Sequence, residues 1–372
     1  MLAVTITVAG FGPAVLLAQE AGPPTVVATG LEGPRGLRFG PDGELYVAEA
    51  GLGGTNSTAG LCTQVPGPPG PGPYTGGLTA RISKISSTGK RTTVASGFPS
   101  TISSGGTIGV ADVTFLNGKL YALVAGGGCS HGNPDNPSGI AEVDRSTGNW
   151  TMIADIGAWL KTHPTAYESS DDFEPDGTLY SLITLDGQLI TVEPNHGQVI
   201  SVTPDGTTKQ VIDISASEGH IVPTSIAEKN GYLYVGNLNL FPTDPQWARI
   251  LTISTDDRLP SENLAPGFAQ DYHRVHIIDS KAGFTTVVAV AFGPEDGLLY
   301  VLELSDAAGY PTPGDGKVVR VLRNGQIEEV ITGLAVPTGM TFGPGGKLYI
   351  SNLGAAPGAA GQILRFDITP GF

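Results

Sequence analysis

Along the chain, short apolar runs with a period of two recur between turns rich in Gly and Pro, the pattern of half-buried strands joined by tight turns. Three stretches share one template. Pro34 to Val47 reads Pro-Arg-Gly-Leu-Arg-Phe-Gly-Pro-Asp-Gly-Glu-Leu-Tyr-Val. Val290 to Val301 repeats it as Val-Ala-Phe-Gly-Pro-Glu-Asp-Gly-Leu-Leu-Tyr-Val, and Pro337 to Ile350 as Pro-Thr-Gly-Met-Thr-Phe-Gly-Pro-Gly-Gly-Lys-Leu-Tyr-Ile. Each is an apolar strand, a Gly-Pro turn closed by Gly, and a second apolar strand. Pro presets the turn and Gly accepts its positive φ.

Weaker copies fill the gaps. Val110 to Leu123 turns at Asn117-Gly118, and Thr224 to Val235 turns at Asn230-Gly231. One copy is deceptive, because Asp176-Gly177-Thr178-Leu179-Tyr180 resembles a turn and second strand while Asp186-Gly187 follows closely. Leu179 to Leu185 is therefore read as the first strand and Leu189 to Glu193 as the second, which makes six hairpins. A third strand follows each, at Ala80 to Ile85, Gly139 to Val143, Gln198 to Val202, Ala248 to Ile253, Lys317 to Val321 and Gln362 to Phe366. Fourth strands are expected at Thr92 to Ala95, Trp150 to Ala154, Lys209 to Ile214, His273 to Ile278 and Glu328 to Ile331.

The last copy has no fourth strand, whereas Thr25 to Thr29 is a strand without a hairpin. The two imperfections complement each other if the N-terminal strand completes the final blade, which removes the open edges of a ring. The pattern predicts an all-β chain: a six-bladed β-propeller of four-stranded antiparallel blades, one domain over residues 22–372. The 54 Gly and 29 Pro among 372 residues suit this many turns.

Residues 1–21 read as a secretory leader with small residues at Ala18 and Ala21, although no Lys or Arg precedes its apolar stretch. A secreted or periplasmic location follows as an expectation. No later run approaches the ~20 apolar residues of a membrane span. A net charge of −15 disfavours nucleic acid as a partner. A monomer is expected, contacting a small molecule or protein.

The hairpin turns fall on one face of such a ring. The long insertions fall on the other, at Ala50 to Thr79, Ala125 to Ser138, Asn239 to Trp247 and Ser305 to Gly316, joined by the connections Phe98 to Ile108 and Asp155 to Thr178. Long loops gathered on one rigid face are where binding is expected. The second strands end there in Glu49, Val124, Glu193, Asn237, Glu303 and Asn352. Converging on the axis, with Asp112 beside them, these oxygens could hold Ca²⁺ or act as bases. They could equally bond loop amides or water. Arg35 could pair with a channel carboxylate or take an anion. Cys62 and Cys129 lie in insertions of consecutive blades, so a disulfide is expected in an exported chain. The histidine spacings match no metal pattern.

The hairpin resembles that of NHL-type propellers. The mature chain resembles the ScyD/ScyE family through Val27 to Leu31, Pro34 to Gly51, Arg81-Ile82, Ser96-Gly97, Val202 to Gly206, Leu233 to Leu238 and Val336 to Gly339. That resemblance implies a propeller and export, with no established reaction and no catalytic residues; Ser254 to Phe284 is longer than its pattern. Gluconolactonase-type propellers are similar in fold, and the resemblance implies Asn and Asp ligands at the inner-strand starts. Here those positions hold Arg35, Ala111, Tyr180, Thr224, Val288 and Thr338. That set is poor in ligands and argues against direct transfer of such a site; a metal-assisted lactonase-like hydrolase or lyase with its site at the channel mouth is the alternative to a binding propeller.

Overall fold

The computed structural model describes residues 21–67, 70–255 and 275–371. Six antiparallel sheets are arranged as blades. The first blade pairs Pro34–Phe39, Leu45–Glu49, Thr75–Ile85 and Arg91–Ser103, with Gly106–Ile108 as a short fifth strand. The second comprises Val110–Leu116, Lys119–Val124, Gly139–Val143 and Trp150–Asp155. The third comprises Ser181–Leu185, Gln188–Glu193, Gln198–Val202 and Thr208–Asp213. The fourth comprises Pro223–Lys229, Tyr232–Asn237, Ala248–Ser254 and His276–Phe284, and the fifth Val287–Phe292, Leu299–Glu303, Gly316–Val321 and Ile327–Leu334.

The sixth blade contains Gly339–Phe342, Leu348–Asn352 and Gly361–Phe366, and Thr25–Leu31 supplies its outer strand. Thr25 pairs with Arg365 and Leu31 with Gly361, so the expected closure by the N-terminal strand is observed. Each inner strand touches the inner strand of the next blade, and Gly339–Phe342 touches Pro34–Phe39 to close the ring.

The deceptive third repeat resolves as expected, with Leu182 opposite Thr191 around an Asp186-Gly187 turn. Asn117-Gly118, Asp186-Gly187 and Asn230-Gly231 all have two consecutive positive φ angles, the turn that matches strand twist. Two expectations change. In the first blade the third and fourth strands run on past Ala80 and Ala95, because the insertion continues their pairing from Thr75 to Ser103. The outer strand of the fourth blade is His276–Phe284, later than the expected His273 to Ile278; His273 lies outside the described residues.

Among the described residues no single cluster fills the centre. Apolar burial is divided into six clusters, and each spans the seam between two adjacent blades. The repeat explains how. At four seams the Tyr of one blade's second strand packs edge-on against the Phe of the next blade's first strand: Tyr46 on Phe115, Tyr234 on Phe292, Tyr300 on Phe342 and Tyr349 on Phe39, with ring centres 4.9–5.0 Å apart. Edge-to-face contacts satisfy the ring quadrupoles. In the first and fifth blades the Tyr hydroxyl also donates to the turn Asp, Tyr46 to Asp42 and Tyr300 to Asp296, both at 2.8 Å.

The seam between sixth and first blades includes Leu31 on the closing strand, fully buried, whereas Val26 on the same strand is 52% exposed. Leu31→Ala should cost about 2–5 kcal/mol and Val26→Ala less than about 0.5 kcal/mol in urea denaturation. Equal costs would mean that the closing strand carries no seam.

Candidate functional site

The six inner strands surround a channel whose cavity is about 50 Å³, lined by Gly36, Arg38, Asp112, Tyr180, Ser181 and apolar residues of the fourth to sixth blades. That is room for a few waters, far below the several hundred Å³ of an organic ligand site. Side chains plug it. Arg38 reaches from the first blade to the carbonyls of Val113 and Leu182, both at 3.3 Å. Asp112 accepts from its neighbour's amide, Val113 N, at 2.8 Å and from Leu182 N of the third blade at 2.7 Å. Gly36 makes this packing possible, since a Cβ there would lie 1.9 Å from Asp112 Oδ1. Burial pushes the Asp112 carboxyl up to about 6, against the pull of Arg38 and of the two amides.

Arg35 is engaged without a carboxylate partner. It donates to the Thr107 carbonyl, and burial pushes the Tyr180 hydroxyl up against the pull of that guanidinium. Neither the ion pair nor the free anion site expected from sequence is what its contacts describe.

The strand-end residues are placed differently from the expected convergence on the axis. None of the five polar ones lines the cavity. Each bonds the backbone where the chain enters its own blade. Glu49 accepts from Glu32 N at 2.7 Å, Glu193 from Thr178 N at 3.0 Å and Glu303 from Thr285 N at 2.8 Å. Asn352 accepts from Ala335 N at 2.9 Å, and Asn237 donates to the Ile221 carbonyl at 2.9 Å. Buried amides and carbonyls at a blade entry need partners, and these side chains supply them. Glu49 is also held by Ser83 and by Arg91 at 2.7 Å, on the third and fourth strands of its blade, so it points outward along the blade. Among the described residues no group of three or more His, Cys, Asp or Glu is placed to hold a metal ion.

The loop face carries a second polar centre. A disulfide joins Cys62 to Cys129 and ties the first insertion to the second. Cys129–His131 form a single 3₁₀ turn, which puts His131 fully inside. Its Nδ1 donates to the Gly127 carbonyl at 2.6 Å, and its Nε2 lies 3.1 Å from Glu174. Tyr74 of the first insertion donates to the other oxygen of Glu174 at 3.3 Å. Burial pushes His131 down, but Glu174, the Gly127 carbonyl and Asp176 together push it up, and the net shift is upward. Burial, with Asp172 and Glu193 nearby, pushes Glu174 up as well. Both shifts favour keeping a proton in the pair.

Three connections meet there. Asp176 accepts from Ser130 N at 2.7 Å and from Lys161 at 2.6 Å. Asn195 accepts from Glu174 N at 2.5 Å. His196 donates to Glu193 at 2.9 Å, and His220 lies 3.1 Å from Asp172. The Glu193 carboxyl is pulled below its usual range: burial raises it, but His196 and the amides prevail. The spacing of these histidines in the sequence matches no metal pattern and gives no sign of this centre. The available signal was position: Tyr74, His131 and Glu174 all fall in segments assigned to one face.

Two outcomes follow. A carboxyl that keeps its proton to about pH 6 folded, and to only about 4 unfolded, makes the folded state bind more protons between those values. The contribution of Asp112 to stability therefore falls as pH rises through that window. Asp112→Asn should flatten the slope of urea midpoints measured from about pH 4 to 7. The disulfide closes a sequence separation of 67 residues; Cys62→Ser with Cys129→Ser should lower unfolding free energy by up to about 4 kcal/mol and expose the first two insertions to proteolysis.

No protein-family model and no curated protein matches the chain. Solved structures do. The PQQ-bound aldose sugar dehydrogenase of Streptomyces coelicolor aligns with a TM-score of 0.53 at 13% identity, covering 93% of this chain and 97% of that one. An oxidoreductase assigned as a glucose dehydrogenase, from Thermus thermophilus, aligns at 0.51 and 16%, covering 93% and 99%. A protein assigned as a gluconolactonase aligns at 0.50 and 13%, covering 96% of each chain. At these identities the likeness shows the fold alone: the structural neighbours are six-bladed propeller proteins, as this chain is.

Proposed function

We propose that this chain is an exported, ScyD/ScyE-like binding propeller that engages a small molecule or partner protein through its loop-rich face. The observation that carries the reading is the plugged channel. Arg38 and Asp112 span the place where a propeller enzyme would admit substrate, and about 50 Å³ remains. The loop face, by contrast, offers contact surface. Among the described residues ten large apolar side chains are exposed, and seven of them (Leu52, Leu61, Leu78, Tyr167, Leu240, Trp247 and Tyr310) belong to its insertions and connections. Exposed apolar side chains gathered on one face favour an interaction site. Export is supported by the Cys62–Cys129 disulfide, which suits an oxidising compartment. No helix among the described residues is long and apolar enough to cross a membrane. The leader assigned to residues 1–21 lies, except for Ala21, outside the described residues.

The alternative, a Ca²⁺-assisted lactonase-like hydrolase or lyase, needs oxygen donors gathered at the channel mouth. Glu49, Glu193, Asn237, Glu303 and Asn352 are each committed to a blade entry, and that argues for binding over catalysis. The enzymatic neighbours share the fold only.

The test pairs a lactone and ester screen, with and without Ca²⁺, with affinity capture from the source organism. Capture compares the wild-type chain, a Leu61→Asp/Trp247→Asp variant on the loop face, and Tyr232→Asp on the turn face. No turnover is expected, together with a discrete partner or ligand lost only in the loop-face variant. Ca²⁺-dependent turnover abolished by Asp112→Asn would replace the binding reading with the hydrolase.

A further inference from the structure

We propose that the insertions of the fourth and fifth blades form a docking platform for a basic peptide segment of a partner protein. The inference rests on the binding reading above and names its place and its partner's chemistry.

The two insertions are built into one unit. Thr243 and Gly309 exchange backbone hydrogen bonds at 2.9 and 2.8 Å. On this short bridge Phe241 and Tyr310 stack, with centroids 6.1 Å apart and planes 21° apart. Phe241 is half-buried against the cluster between the fifth and sixth blades. Tyr310 therefore lies on a supported ring while 64% of it faces solvent. Trp247 is 62% exposed, and its neighbour is tied to the entry of the fifth blade: Gln246 N donates to Thr285 Oγ1 at 3.2 Å, and the Thr286 hydroxyl donates to the Ser305 carbonyl at 2.5 Å, where the fifth-blade insertion begins. Leu240 is exposed beside Phe241. Rigid Trp and Tyr side chains are the anchors of protein interfaces, because little conformational entropy is lost when they are covered.

Charge selects the partner. Residues 238–247 and 304–317 contain Asp244, Asp306 and Asp315 against a single cation, Lys317; the adjoining Glu303 is buried at its blade entry. That lysine is already held by Asp306 at 3.2 Å and Glu329 at 3.1 Å. Asp244, exposed, follows the bridging Thr243, and Asp306 is exposed at the start of the facing loop. An Arg or Lys laid over Tyr310 or Trp247 would gain a cation–π contact with a carboxylate beside it. The chain's net charge of −15 would steer a basic partner toward it. Both anchors are aromatic and the surround is acidic, so an acidic partner is repelled and a purely apolar one gains nothing from the exposed Asp244.

The test titrates the full chain, by calorimetry at low and physiological salt, with a synthetic decapeptide alternating Arg and Leu and with its counterpart carrying Glu for Arg. The basic peptide should bind at least about tenfold more tightly. Tyr310→Ala and Trp247→Ala should each weaken it by about tenfold or more, and Asp244→Asn/Asp306→Asn should reduce the salt dependence. Tyr232→Ala, on the opposite face, should leave binding unchanged. Thermal melting confirms that each variant folds. Equal binding of both peptides, no binding, or indifference to the aromatic substitutions overturns the proposal. Binding weakened by Leu61→Asp and untouched by Tyr310→Ala also overturns it while leaving the broader loop-face reading standing. Binding moved by Tyr232→Ala and by no loop-face variant removes both.

Discussion

The structure depends on the seam between neighbouring blades. A single four-stranded sheet has two apolar faces and no partner of its own, so each blade is stable only against the next. The Tyr–Phe edge contact is the repeating element of that seam, and it is present at four of the six boundaries, including the one between Tyr349 and Phe39 that joins the two ends of the chain. The ring has to close for the first and last seams to exist, which is why Thr25–Leu31 leaves its own sequence neighbourhood and pairs with Gly361–Phe366.

A ring of seams leaves two surfaces to be finished. On one, tight hairpin turns satisfy themselves. On the other, the chain enters each blade beside the end of its second strand, and buried backbone groups are exposed to no water there. Five blades answer with a side chain at the same position, a Glu or an Asn that reaches the entry backbone. The second blade has Val124 at that position; its Ala125 amide bonds the Gly109 carbonyl at 2.8 Å, as the Ala50 amide bonds Gly33 and the Leu304 amide bonds Thr286 in blades that carry the Glu. A row of carboxylates and amides that looks like a ligand set in one dimension is thus a set of stitches in three.

The loop face is therefore rigid before it binds anything. The first two insertions are held by the disulfide and by the buried Tyr74–Glu174–His131 contacts, and the fourth and fifth by the Thr243–Gly309 bridge. On the first side His131, Glu174 and Asp176 are turned inward, whereas on the second Tyr310 and Trp247 are turned outward. Leu52, Leu61, Leu78 and Tyr167 are exposed on the first side as well, so apolar contact surface is present on both parts of the face.

The sequence alone determined the blade count, the hairpin turns, the closing strand and the face on which the insertions gather. These are local in origin: a Gly-Pro-x-Gly turn or an Asp186-Gly187 pair acts through its own φ and ψ, and apolar alternation needs only the next residue but one. The pairing of Cys62 with Cys129 was legible for the same reason, once the blades placed both in adjoining insertions. Tertiary structure decided what the polar side chains do. Glu49 faces Arg91 and the Glu32 amide, not the axis, because strand twist and the route of the entering chain set its direction. Arg38, not Arg35, is the plug, because its guanidinium reaches across the axis to the carbonyls of Val113 and Leu182. His131 and Glu174, 43 residues apart, meet only after three loops have folded together. Side-chain direction and long-range juxtaposition are set by the closed ring, and no local pattern encodes them.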